Sequence, residues 1–160
     1  MALLLLGKTE CPIRGKVINK EDAHYGFASF IANTLDPLYF VNDRVFHQEC
    51  LYSANYGKKA IIYSELLHLK SGPENRKCIV TGDLITKQDE HIYIGYLTSD
   101  EKSNLHQFNF THINKINLLK WTNRKYCITE LTKLLNSNTW REYGSNNKYL
   151  LKLINTLDMK

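Results

Sequence analysis

Twice in this chain a cysteine is missing from the place where its neighbours ask for one. "CPIRGKVINKEDAH" occupies residues 11–24 and "CIVTGDLITKQDEH" residues 78–91. Each carries a glycine four residues after its cysteine, yet Arg14 and Thr81 stand where a second thiol would complete Cys-x-x-Cys-Gly. Only four cysteines occur in 160 residues. Without an export signal they read as free thiols or metal ligands rather than a disulfide framework. Long hydrophobic runs are also lacking. The opening "MALLLLGKTE" is apolar for too few residues to span a bilayer and has no basic flank of the secretory kind. The expectation is therefore a soluble, cytoplasmic protein with no membrane partner, in which residues 2–6 form a buried strand. Ala2 and Gly7-Lys8-Thr9 formally fit a phosphate-binding loop, but bulky Leu3 to Leu6 exclude a backbone that wraps a phosphate.

Catalytic signal is equally scarce. Carboxylates are scattered, and the D-x-H pairs Asp22/His24 and Asp89/His91 suit exposed hairpin tips as well as an acid–base or metal site. His47 and Cys50 lie one helical turn apart, a spacing that suits ligand or packing roles better than attack on a substrate. The expectation is a protein that is not an enzyme.

Acidic charge is short in the last third. Residues 1–110 carry 12 basic and 13 acidic side chains, whereas residues 111–160 carry 9 basic and 3 acidic, so the net charge of +5 resides in the C-terminal part. Such a field attracts nucleic acid or an acidic protein, although Lys and Arg on solvated helix faces produce the same imbalance.

What the chain does contain is a repeat. Cys11, Gly15, Ile18, Lys20, Asp22 and His24 match Cys78, Gly82, Ile85, Lys87, Asp89 and His91 at one constant offset of 67 residues, six identities in fourteen ungapped positions. Both glycines are expected at positive φ, and both cysteines as small buried residues. The hydrophobic content of 43% supplies a core for one medium or two small domains.

Punctuation and periodicity place the elements. A hairpin with its turn at residues 19–22 is predicted in "KVINKEDAHYGFASF". A helix is predicted to open within residues 44–47, pause at Gly57 and resume through "KKAIIYSELLHLK". "SGPEN" reads as a linker. After it the order recurs: strands, a loop at "SDEKSN", a strand leading into a helix in "LHQFNFTHINKINLLKW", and a helix in "YCITELTKLLNS". A last helix in "NKYLLKLINTL" is expected to be capped by Asn146 or Asn147, with Leu150, Leu151, Leu153 and Ile154 on its buried face.

Knuckle, hairpin and a helix opening with His-x-x-Cys together resemble the treble-clef zinc modules of LIM-like and bacterial zinc-ribbon proteins. The resemblance implies an α+β chain of two tandem knuckle–hairpin–helix modules with additional C-terminal helices. The first module spans residues 1–70, a linker 71–76, and a second, degenerate module 77–160. It implies Cys11, His47 and Cys50 as metal ligands in the first module, and Cys78 with His112 in the second, where Lys115 replaces the last cysteine. Four ligands close a structural zinc site. By that count no cofactor is required. Zinc stays open in the first module if His24 or a water completes the shell, with the charge of Arg14 opposing it.

The functional expectation is a non-enzymatic binding protein that occludes a protein partner. The small Lys-, Asn- and Ile-rich chain resembles bacterial immunity proteins, which implies a toxin as partner. The alternative is nucleic-acid binding through Lys120, Arg124, Lys125, Lys133 and Arg141, with Trp121, Tyr126 or Trp140 stacking on bases.

Overall fold

The computed structural model describes residues 2–144 and 147–159. The chain forms two compact units, one of residues 1–31 and 37–65, the other of residues 32–36 and 66–160. Its class is mixed α+β, with a two-stranded antiparallel sheet in each unit.

In the first unit β1 (His24–Gly26) pairs with β2 (Val45–His47), and α1 (Gln48–Ser53) follows; α2 (Gly57–Ser71) starts in this unit, and its residues from 66 on are counted with the second. Residues 45–47, predicted as the start of a helix, are strand. Val45 and Phe46 are β-branched and aromatic, and all three residues are buried, which suits a pleated surface better than a first helical turn. The predicted hairpin is also redrawn. Asp22 N–H reaches Asn19 O at 3.2 Å, so the turn forms, but Val17 bridges Glu10 and β1 finds its partner some twenty residues downstream. Residues 2–6 are not a strand. Leu3 is 75% exposed and Leu5 50%, because the adjoining turn, where Gly7 N–H meets Ile18 O, takes the chain over the surface.

The second unit contains β3 (His91–Ile94) paired with β4 (Thr111–Asn114), then α3 (Arg124–Leu135) and α4 (Lys148–Leu157). Ile94, Leu97, Phe108, Ile113, Cys127, Leu131, Leu150 and Leu157 fill its core, with Trp121 and Trp140 among them. On α4 the buried residues are Leu150, Leu153 and Leu157; Leu151, expected inside, is exposed. Asn147 has φ 41° and makes no side-chain cap, while Asn146 lies outside the described residues. The cap comes from Glu142 instead. Its buried carboxylate accepts from Tyr149 N at 2.8 Å, Leu150 N at 3.0 Å and Trp140 Nε1 at 3.0 Å, which satisfies helix donors that have no partner within the helix.

The repeat extends far beyond the fourteen residues that announce it. In both units the cysteine N–H and the following glycine N–H close the same loop: Gly15 N–H reaches Cys11 O at 2.8 Å and Gly82 N–H reaches Cys78 O at 2.7 Å, with φ of 69° and 79°. A 3-10 turn at Tyr39–Val41 matches one at His106–Phe108. Each is followed by an asparagine that clamps three backbone groups upstream and by a residue at positive φ, Asp43 (51°) or Phe110 (57°). The six residues of α1 match a six-residue 3-10 segment, Lys115–Lys120. Every pair keeps the 67-residue offset.

Candidate metal centre

Three elements of the first unit converge on one point. The glycine-closed knuckle brings Cys11, the end of β2 brings His47, and the first turn of α1 brings Cys50. One ligand atom from each lies within 4.8 Å of the others. Relative exposure is 0% for Cys11, 7% for His47 and 2% for Cys50.

The electrostatics of the knuckle favour a thiolate. Burial acts against the charge of Cys11, but the N–H groups of Arg14, His47 and Ile13 outweigh it and bring the thiol down to about 7. Burial, with Cys11 next to it, holds the Cys50 thiol above its ordinary value. The His47 Nε2 faces Asp22 Oδ2 at 3.4 Å, and the Asn19 N–H holds that carboxyl below the usual range. His47 Nδ1 is buried with no hydrogen-bond partner. A soft donor set of two thiols and an imidazole, an orphaned ring nitrogen, and a carboxylate behind the other ring nitrogen are what a metal-ligating histidine requires. The three ligand atoms lie close enough together to hold a metal ion, with the fourth position left to a non-protein ligand.

Arg14, which stands in place of a fourth ligand, forms an ion pair with Glu49. Its charge is thus partly answered from α1. His24 is exposed, with its Nδ1 on Asp22 O at 2.9 Å, and does not join the cluster.

In the second unit the strand register corrects the assignment by sequence. His47 pairs with His24 across the first sheet, and Asn114 pairs with His91 across the second. The counterpart of His47 is therefore Asn114, not His112, and that of Cys50 is Asn117, not Lys115. His112 is engaged elsewhere. Its Nε2 lies 2.9 Å from Lys70 O and its Nδ1 2.7 Å from His91 Nε2, so the carbonyl fixes the tautomer and His91 is the donor to Nδ1. With both nitrogens occupied, His112 has none left to act as a base toward Cys78, although the two line one cleft. In the first unit the contacts Asp22–His47–Cys11 formally resemble a nucleophile relay. Both cysteines are buried, a cleft lined by Asp22, His47 and Glu49 opens beside the imidazole, and the second thiol has no role in such a relay.

The five basic residues proposed for nucleic acid stand in different surroundings. Arg124 donates to Leu157 O at 2.6 Å and Met159 O at 2.8 Å, closing the end of α4. Lys133 pairs with Glu130. Lys120, Lys125 and Arg141 are exposed. Trp121 and Trp140 are only 6% and 4% exposed, which removes two of the three proposed stacking platforms.

Sequence reasoning missed the buried carboxylate of Asp36, which accepts from Tyr96 Oη at 3.0 Å and Ser99 N at 3.2 Å within the second unit. No local pattern marks it, since its partners lie some sixty residues away. Among the described residues no helix is long and apolar enough to cross a membrane. The chain matches no protein-family model, no curated protein and no solved structure.

Proposed function

We propose that this chain is a non-enzymatic binding protein whose first unit is a treble-clef-like module closed by one zinc ion on Cys11, His47 and Cys50, and which acts by covering a protein partner. The burial of all three ligands carries the reading. Three protein ligands leave the fourth position of a tetrahedral zinc to a water, and the burial of all three is what favours a structural over a catalytic role. Zinc then contributes folding free energy to the first unit. The resemblance to immunity proteins makes a toxin the partner to test first.

Protein purified without chelator is expected to carry one zinc per chain. Tagged chain recovered from its own cells is expected to retain a stoichiometric protein partner through a wash at high salt. A chain that instead retains nucleic acid, with affinity falling steeply between two salt concentrations, overturns the binding mode. A chain that carries no metal overturns the structural role of the cluster.

A further inference from the structure

We infer that Cys78, Thr81, Asn114 and Asn117 are a vacated metal site in which two asparagines have replaced the ion's ligands, and that this pocket accepts zinc again when the ligands are returned. The inference takes the first unit as its template and so rests on the metal reading given above, but it is tested separately.

Position by position, the second pocket keeps the frame of the first and changes its donors. Cys78 occupies the place of Cys11, on a knuckle closed by the same two hydrogen bonds, with Cys78 N–H on Asp83 O at 2.8 Å where Cys11 N–H meets Lys16 O at 2.9 Å. The backbone N–H of Asn114 reaches the Cys78 sulfur at 3.3 Å, as the backbone N–H of His47 does for Cys11. Asn117, at the place of Cys50, points its Nδ2 at the same sulfur from 3.9 Å.

A carboxylate also stands behind the second pocket, although it is Glu90 and not Asp89, the residue that matches Asp22 in the repeat. In the first unit Asp22 stands behind the imidazole of His47. In the second, Glu90 Oε2 receives Asn114 Nδ2 at 3.4 Å, while Asn114 Oδ1 accepts Ile116 N–H at 3.1 Å and caps the short helix.

Neither asparagine is a soft ligand, and a single thiol cannot hold zinc in a closed site. The side-chain amide of Asn117 and the backbone N–H of Asn114 do supply donors to a buried sulfur, which otherwise loses its partners when the ion leaves. The pocket thus stays satisfied without metal, and the 3-10 winding of residues 115–120 in place of the α-turn of α1 is the local adjustment.

The test is a triple variant, Thr81→Cys with Asn114→His and Asn117→Cys, which restores Cys-x-x-Cys-Gly and the His-x-x-Cys pair around Cys78. Zinc per chain is measured beside the parent protein, and tryptophan emission reports folding, since Trp121 and Trp140 both lie in this unit. The expected result is one zinc more than the parent in a folded variant, with thiolate-to-cobalt absorption when cobalt replaces zinc. A folded variant with the parent's metal count overturns the inference. A variant that fails to fold in the presence of zinc overturns it too, because a vacated site takes its own ligands back. The parent's own count reads the first site independently. A parent without zinc and a variant with one sinks the first reading and leaves this one standing.

Discussion

Asn109 is a small side chain on which the geometry of the second unit depends. Its Oδ1 accepts from Leu97 N at 2.7 Å and Thr98 N at 3.2 Å, and its Nδ2 donates to Thr98 O at 2.8 Å. Three backbone groups just after β3 are therefore held by one residue just before the turn at Phe110. Asn109→Ala removes all three bonds. At about 1 kcal/mol net for each neutral hydrogen bond, and with water able to reach a half-buried site, the cost is about 2–3 kcal/mol. For a unit of about a hundred residues this corresponds to a fall in Tm on the order of 10–20 °C. Both tryptophans of the chain belong to this unit and are buried, so thermal unfolding followed by tryptophan emission reads the second unit directly. Asn104→Ala is the control. Its Nδ2 meets Glu130 Oε2 at 3.1 Å in the open, and exposed contacts of that kind contribute about 0.5 kcal/mol or less. If Asn109→Ala melts within about 2 °C of Asn104→Ala, the clamp does not stabilise the fold and the reasoning fails. The same change at Asn42, whose Oδ1 accepts from Phe30 N and Ile31 N at 3.2 Å each and whose Nδ2 reaches Ile31 O at 2.6 Å, is expected to cost the first unit a similar amount, read by far-UV circular dichroism.

Cys50→Ala is expected to take the zinc content of the purified protein from one per chain to none, whereas Cys78→Ala leaves it unchanged and costs about 1–2 kcal/mol of packing; metal analysis of the two variants separates them. Glu142→Ala is expected to lower stability by about 2–4 kcal/mol, because it strands Trp140 Nε1 and the N–H groups of Tyr149 and Leu150, and unshifted tryptophan emission together with unchanged melting would contradict that. Burial first, and His91 second, push His112 down to about 4, below the ordinary histidine value of about 6.5. Its neutral form thus stabilises the fold fully above pH ~6.5, and that contribution is lost as pH falls from there toward 4. His112→Gln is expected to flatten the decline of the melting temperature across that window relative to the parent, and parallel declines would exclude His112 as its source.

Much of this was legible in the residue order. The duplication, the positive φ of Gly15 and Gly82, the burial of the knuckle cysteines and the extents of α2 and α3 all follow from spacing, because they depend on neighbours within a turn or a few helical turns. Cys11, His47 and Cys50 were legible as a candidate set for the same reason: knuckle and helix start each carry their own local signature. Tertiary structure alone decided which strand pairs with which. The residues after the turn at 19–22 offered a nearby partner, yet β1 bonds to Val45–His47, since strand pairing is a choice among distant segments that no local window ranks. The registers of the two sheets together put Asn114, not His112, at the place of His47. A shift of two residues in a strand changes which neighbour a side chain meets, and the 67-residue offset, carried on from His24 and His91, gives the same counterpart, Asn114. Residues 2–6 read as a buried strand by composition, yet Leu3, Leu5 and Leu6 emerged exposed, while the tryptophans, stacking platforms only in the nucleic-acid alternative and bordering apolar helical runs, are buried. Hydrophobicity says what a residue gains from burial, but only the packed chain determines which apolar residues find room inside.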